Sequence, residues 1–83
     1  GYLGILPREL DSKTAHELGA KVGRGVYVQA AEDNGAAKAA GIQKGDVIVK
    51  MDGEVLDSET RMREIIGRHR PGDVLDVTVN RNG

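Results

Sequence analysis

Side chains that could perform catalysis are few and scattered along this sequence. Ser12 and Ser58 are candidate nucleophiles, and His16 and His69 are candidate bases. Neither serine lies in a Gly-x-Ser-x-Gly elbow, and the two histidines have no metal-ligand spacing. Four acidic residues surround a predicted hairpin without the Asp-x-Asp-x-Asp-Gly spacing of a calcium loop: Asp52, Glu54, Asp57 and Glu59. We therefore predict no catalytic residue, no metal site and no cofactor.

The glycines and the clustered apolar residues can each be explained by structure alone, without a binding role. Gly19, Gly23 and Gly25 lack the preceding strand and the spacing of a phosphate-binding or dinucleotide-binding loop, so they indicate an ordinary loop. Gly4 in an apolar run suggests a strand bulge when taken alone. Three apolar residues at helical spacing are typical of a core face: Met62, Ile65 and Ile66.

Composition narrows the class of protein further. The chain has 83 residues, which is the size of one small domain, and 39% of them are hydrophobic. Twelve Lys and Arg against thirteen Asp and Glu leave a formal charge of −1, which argues against a nucleic-acid-binding face. There is no Cys, so disulfides and thiolate metal sites are excluded. The sequence also contains no run of eighteen apolar residues that would predict a membrane span.

Periodicity, capping residues and turn signals predict a mixed series of short elements. Four strands are predicted besides a short return strand, together with two main helices and one short helix. In order they are a strand over 2–7, a helix over 11–22, a strand over 25–30, a short helix over 36–40, a strand over 47–51, an Asp52-Gly53 hairpin with a return strand over 54–56, a helix capped by Asp57 or Ser58, and a strand over 74–79.

This order predicts an α+β fold, a small partly open β-barrel or sandwich of about five short strands capped by two main helices. Residues 1–83 are expected to form a single domain, excised from a longer protein. The stretch from Asn80 to Gly83 has the composition of a hairpin turn. We therefore expect the last strand to be truncated, or its partner strand to come from elsewhere.

Two stretches resemble the PDZ domain family. The opening Gly1-Tyr2-Leu3-Gly4-Ile5 resembles the Gly-Φ-Gly-Φ carboxylate-binding loop, where Φ is apolar. Residues 36–48, Ala-Ala-Lys-Ala-Ala-Gly-Ile-Gln-Lys-Gly-Asp-Val-Ile, are similar to the family's Pro-Ala-x-x-Ala-Gly-Leu-x-x-Gly-Asp-x-Ile signature. The Tyr-Φ-Gly-Φ loop and the inserted helix after it are most similar to PDZ domains of bacterial HtrA/Deg-type serine proteases. The chain departs from many members at Gly35-Ala36, where they have Ser-Pro.

The resemblance implies a groove that holds an extended peptide by strand addition. Loop residues Tyr2, Leu3, Gly4 and Ile5 would bind the ligand's terminal carboxylate, mainly through the backbone amides of the last three. The pocket for the ligand's last side chain would be formed by Leu3, Ile5, Ser58, Met62, Ile65 and Ile66, with Ile65 either a wall or part of the core. Because these side chains are nearly all aliphatic, we expect an apolar last residue.

By the same resemblance, the chain would be the non-catalytic recognition or regulatory module of an envelope serine protease. Its partners would be C-terminal or unfolded protein segments and a covalently linked protease domain in a homo-oligomeric parent, with no nucleic acid and no membrane insertion. The location would be extracytoplasmic, in the bacterial periplasm or cell envelope. The alternatives are a PDZ domain of a C-terminal processing or intramembrane protease, a non-proteolytic scaffold module, and an occluded groove that serves only as an assembly contact.

Overall fold

The computed structural model describes residues 4–19, 23–70 and 73–81. Eight elements follow one another in the order predicted from the sequence. They are β1 Ile5–Leu10, α1 Ser12–Leu18, β2 Gly25–Ala31, α2 Ala36–Ala39, β3 Val47–Met51, β4 Glu54–Val55, α3 Glu59–Gly67 and β5 Val77–Asn80. The predicted α+β class, a partly open sheet of five short strands with helices, is confirmed.

The sheet is antiparallel throughout and has β1 at one edge. Its strand order is β1-β2-β3-β4, with β5 also pairing with β3. The β3–β4 hairpin turns at Asp52 and Gly53, whose φ angles are 54° and 78°. Positive φ at both central residues is the conformation that an Asp-Gly turn favours, as the sequence predicts.

Each main helix begins at a side-chain cap. Asp11 caps α1 by accepting a 2.7 Å hydrogen bond from the backbone N–H of Thr14. That bond is the main reason that the pKa of the Asp11 carboxyl lies below its usual value. Ser58, one of the two caps predicted for α3, accepts a 3.0 Å hydrogen bond from the backbone N–H of Arg61. A cap of this kind stabilises a helix by about 1 kcal/mol.

The core is aliphatic and lies between the sheet and α3. It joins α3 to β2 and β3 through side chains that are almost fully buried, including Val26, Val28, Ile48, Met51, Leu56, Met62 and Ile65. A second cluster under α1 contains Leu10, Ala15 and Val47. The short helix α2 is closed by Gly41 with φ at 94°, and Ile42 then folds back so that its N–H donates to the carbonyl of Ala37 at 3.0 Å.

Several element boundaries differ from the sequence prediction, and the larger differences are in β1, α1 and β5. β1 continues to Leu10, because β2 is long enough to pair with it as far as Gly25. α1 ends at Leu18, where Gly19 adopts φ at 69°; residues 20–22 of the predicted helix lie outside the described residues. β5 begins only at Val77 and not at Val74, because its partner strand β3 ends at Met51 where the hairpin turn starts.

Among the described residues, no helix is long and apolar enough to cross a membrane. The predicted hairpin turn at 80–83 falls partly on residues 82 and 83, which lie outside the described part of the chain.

Candidate peptide-binding groove

The edge strand β1 and helix α3 lie side by side. β1 pairs with β2 on one side only, so its other edge is open in the described structure. α3 packs against both β1 and β2. An open strand edge beside a helix is the geometry that takes up an extended peptide as an additional strand. We refer to the space between the open edge of β1 and α3 as the groove.

Gly4 sets the conformation of the loop that leads into β1. Its φ is 74°, in the left-handed region that favours glycine, and a Cβ at this position would lie 2.7 Å from the Cα of Gly35. The carbonyl of Gly4 accepts a 2.7 Å hydrogen bond from the N–H of Glu32. Glycine is therefore required at position 4, both by the left-handed backbone conformation and by the close contact with Gly35. Gly4 is not the strand bulge that the apolar run around it suggested. Tyr2 and Leu3, the other loop residues predicted to bind, lie outside the described residues.

The predicted pocket residues of α3 are found at different depths. Met62 is 4% exposed and Ile65 is fully buried, whereas Ile66 is half-buried at the margin of the core. Ile5 of β1 is half-buried against the same core cluster. Of the two alternatives left open for Ile65, its burial corresponds to the core. Of the predicted pocket residues that the structure describes, Ile5, Ile66 and the cap Ser58 are partly exposed.

Charged side chains hold α3 in place on the side of the β3–β4 hairpin. Glu54 forms ion pairs with Arg61 and Arg68, the second at 2.8 Å. Beyond the end of α3, the His69 ring contacts the carboxylate of Asp52. This contact, with a 3.1 Å hydrogen bond from a backbone N–H, holds the pKa of Asp52 below its usual value. His69 thereby links the end of α3 to the β3–β4 hairpin.

Glu9 joins the two walls of the groove. Its carboxylate on β1 accepts a 2.9 Å hydrogen bond from the backbone N–H of Glu59, the first residue of α3. The first N–H groups of a helix have no partner within the helix, so they readily bond a carboxylate. The sequence did not predict this role, because the two residues are 50 positions apart.

A buried carboxylate, Asp46, links the loop before β3 to the residue that follows β5. Asp46 is 1% exposed and accepts a hydrogen bond from the N–H of Gln43 at 2.9 Å. The guanidinium of Arg81 donates to both Asp46 oxygens, at 2.8 and 2.7 Å, and to the carbonyl of Gly41 at 2.8 Å. The Arg81 hydrogen bonds are the main reason that the pKa of Asp46 is lowered and that of Arg81 raised. Asp46 belongs to the Gly-Asp pair of the signature stretch, but its partner was not predicted.

Open cavities are found at both ends of the described sheet. One, of about 470 Å³, lies where β1 ends, adjoins the groove, and is lined in part by Glu9, Arg24 and Ser58. The other, of about 490 Å³, lies between α2 and β5 against Ile42 and Val79. In the residues that the structure describes, no group of three or more His, Cys, Asp or Glu is arranged to hold a metal ion.

Comparison with known proteins agrees with this fold. The family model of the PDZ domain matches residues 1–83. The chain therefore belongs to the PDZ domain family.

Its relatives point to one group within that family. The chain is 44% identical over 59 residues, or 71% of its length, to the serine protease Do-like HtrA of Lactobacillus helveticus. It is 30% identical over all 83 residues to a probable periplasmic serine endoprotease DegP-like of Halomonas elongata. The chain spans only 14% and 18% of the lengths of these two proteins.

Solved structures of the same group superimpose closely. The HtrA3 PDZ domain bound to the phage-derived ligand FGRWV matches 98% of this chain and 73% of that one, with a TM-score of 0.85 and 31% identity. The HtrA-type protease AlgW with a decapeptide matches the whole of this chain and 26% of that one, with a TM-score of 0.88 and 31% identity.

Proposed function

We propose that this domain captures extended C-terminal protein segments that end in an apolar residue, by adding them as a strand to β1. The observation that carries the proposal is the open edge of β1 beside α3. Two HtrA relatives of known structure hold peptide ligands, which supports the same use of the groove here.

The terminal carboxylate would bind to the loop before β1. Successive backbone N–H groups of a glycine-containing turn form a concave anion site, and the amides of Leu3, Gly4 and Ile5, with Tyr2 in the same loop, would form it here. The left-handed conformation of Gly4 supports this placement, because it lets neighbouring amides converge. This carboxylate site would orient the ligand antiparallel to β1, with its last residue at Ile5.

The last side chain of the ligand would enter an aliphatic pocket. Ile5 and Ile66 would contact it directly from the two sides of the groove, with Ser58 at the margin. By the family resemblance, Leu3 would form a wall of the pocket together with Ile5. Met62 and Ile65 would support the pocket from the core. Because a charged ligand side chain would lose its hydration in such a pocket, the domain should select apolar C-termini.

In the parent protein, the domain would recognise substrates for an HtrA/Deg-type serine protease. The relatives are HtrA and DegP-like serine proteases, and one is described as periplasmic. We propose that this part of the chain is non-catalytic, that a protease domain is linked to it, that the parent is a homo-oligomer, and that it acts in the periplasm or cell envelope on exposed C-termini.

The test is a screen against a library of free C-terminal peptides, repeated with the same peptides amidated. We expect binding of apolar-ended peptides that is lost on amidation, because the amide removes the charge that the loop binds. Binding that survives amidation would contradict carboxylate capture, and absence of binding by every peptide would contradict the proposed function.

Two lysine substitutions on α3 provide a matched pair for the pocket. Ile66→Lys should weaken peptide binding at least tenfold, because it places a charge in the aliphatic pocket. Glu64→Lys introduces the same side chain at an exposed position of the same helix, and it should leave binding within about twofold. Equal losses in the two variants would place the ligand elsewhere.

A further inference from the structure

We propose that the groove reads only the last three residues of a C-terminus, because Pro7 interrupts its backbone pairing and Glu9 closes its far end. This inference rests on the proposed function and adds a limit on ligand length to it. Pro7 and Glu9 lie on β1 at positions two and four residues beyond Ile5. Since successive strand residues alternate in direction, all three direct their backbone groups to the same edge.

The pairing of Pro7 shows which edge that is. Pro7 lies opposite Val28 of β2. The N–H of Val28 donates to the carbonyl of Asp46 at 2.8 Å, and its carbonyl accepts from the N–H of Gly45 at 2.9 Å, both on the side away from β1. In an antiparallel pair, opposite residues either exchange both bonds or both point away from each other. The backbone of Pro7 therefore points to the open edge.

The loop before β1 gives the same result independently. The carbonyl of Gly4 faces β2, because it accepts the hydrogen bond from Glu32. The next residue, Ile5, must then face the open edge. The register with β2 shifts between Leu6 and Pro7, but the extra residue, Gln29, belongs to β2, so the alternation along β1 continues and Pro7 faces the open edge again. This is the orientation in which a strand tolerates proline, since the missing N–H is then not needed by the sheet.

A ligand strand would find an incomplete partner in this edge. With its last residue opposite Ile5, its third-last residue lies opposite Pro7. That residue can donate its N–H to the Pro7 carbonyl, but its own carbonyl meets no donor because proline has no backbone N–H. The pyrrolidine ring occupies the position of the absent hydrogen. The ligand is therefore held by one bond where a regular strand pair would form two.

Glu9 then limits how far the ligand can continue. The next pairing position on the open edge is Glu9, and its carboxylate already spans the groove to the N–H of Glu59 on α3. A longer ligand would have to displace this hydrogen bond, which is charge-assisted and stronger than a neutral one. Residues upstream of the third-last position should consequently leave the groove and add little affinity.

The first experiment measures affinity against ligand length. The probes are the acetylated peptides Arg-Trp-Val, Gly-Arg-Trp-Val and Phe-Gly-Arg-Trp-Val, the last being the peptide bound by the HtrA3 PDZ domain. We expect dissociation constants within about twofold of one another by isothermal titration calorimetry. A tenfold gain from three residues to five would overturn the inference and leave the proposed function intact. If neither these peptides nor the library binds, the proposed function and this inference both fail.

The Glu9→Ala variant tests the closed end. Removing the carboxylate should open the groove, so that the five-residue peptide binds more tightly than the three-residue peptide by about fivefold. Unchanged length dependence in this variant would overturn the role of Glu9. Thermal unfolding of the variant shows whether the domain remains folded.

The Pro7→Ala variant tests the missing donor by a double-mutant cycle. It restores one N–H at the open edge and should tighten binding of Arg-Trp-Val about fivefold, the value of one net hydrogen bond.

Replacing the Arg-Trp amide of the peptide by an ester weakens the hydrogen-bond acceptor at the carbonyl of the third-last residue, which lies opposite Pro7. The ester should abolish the gain in Pro7→Ala and leave the wild-type affinity unchanged. An equal ester effect in both proteins would overturn the role of Pro7. Arg8→Ala, at the exposed neighbour whose backbone faces β2, is the control and should match the wild type.

Discussion

At the scale of single residues, Gly4 is constrained both by its backbone conformation and by a close contact. Its φ of 74° would strain any residue with a side chain, and its Cα faces the backbone of Gly35 so closely that an added Cβ would lie 2.7 Å from it. Gly19 has nearly the same φ, 69°, but nothing within 4 Å of an added Cβ. Comparing alanine substitutions at Gly4 and Gly19 therefore distinguishes the cost of the left-handed backbone from the cost of the steric contact.

We expect Gly4→Ala to lower the free energy of unfolding by about 3 kcal/mol and Gly19→Ala by about 1 kcal/mol, the ordinary cost of left-handed backbone in a residue with a side chain. Urea denaturation measures both values. Gly4→Ala should also abolish peptide binding, because the loop must move to relieve the contact. Equal destabilisation by the two substitutions would show that the contact with Gly35 is relieved without strain.

At the scale of elements, the Arg81–Asp46 pair joins segments that are distant in the sequence. Asp46 precedes β3 and its carbonyl accepts from Val28 of β2, while Arg81 follows β5 and also bonds the carbonyl of Gly41 after α2. A buried carboxylate is tolerated only when it is paired and hydrogen-bonded, as this one is. The pair therefore fixes the position of β5 relative to α2.

Arg81→Met should lower the free energy of unfolding at pH 7 by about 2 kcal/mol. The expected loss is less than that for a fully buried pair because the Arg81 side chain is 43% exposed. Arg24→Met, at an exposed arginine, is the control and should change stability by less than about 0.5 kcal/mol.

The same variant should show a pH-dependent difference from the wild type. The folded-state pKa of Asp46 lies below its unfolded value of 3.8, so the pair's contribution is present above that value and is lost as the pH falls through the folded pKa. The stability gap between wild type and Arg81→Met should shrink between pH 5 and pH 2. A gap that stays constant across this range would contradict the assignment.

At the scale of the whole molecule, the domain is small and its core has no large aromatic side chain. The chain contains no Phe and no Trp, and the buried positions are filled by Val, Ile, Leu, Met and Ala. A core of this size supplies a few kcal/mol of net stability. Ligand binding at a groove formed by β1 and α3 should therefore be visible in the stability of the entire domain.

A free C-terminal peptide at about one hundred times its dissociation constant should stabilise the folded state by about 2.7 kcal/mol. For a domain of 83 residues, this corresponds to a rise in Tm of about 15 °C. Differential scanning calorimetry measures the shift, and the amidated peptide at the same concentration is the control. A similar shift with both peptides would contradict recognition of the carboxylate.

Local signals in the sequence predicted most of the elements. The Asp52-Gly53 turn and the Ser58 cap each depend on a few neighbouring residues. The turn is found as predicted, and Ser58 is one of the two caps that the sequence offered for α3. The prediction was wrong where an element's end depends on its partner. β5 starts at Val77 because β3 ends at Met51 and the chain turns at Asp52, and Val74 is 82% exposed. The alternation within 74–79 could not reveal this.

The amino-acid sequence by itself determined the family, the order of the elements and the aliphatic character of the groove, because motif spacing, capping and side-chain chemistry are local properties. The tertiary structure alone decided which side chains keep accessible surface, so that Ile65 is buried while Ile66 remains at the margin. It also decided that Pro7 faces the open edge, that Glu9 reaches α3, and that Arg81 meets Asp46. These three features depend on strand register and on contacts between residues up to 50 positions apart. Such residues come together only when the chain folds.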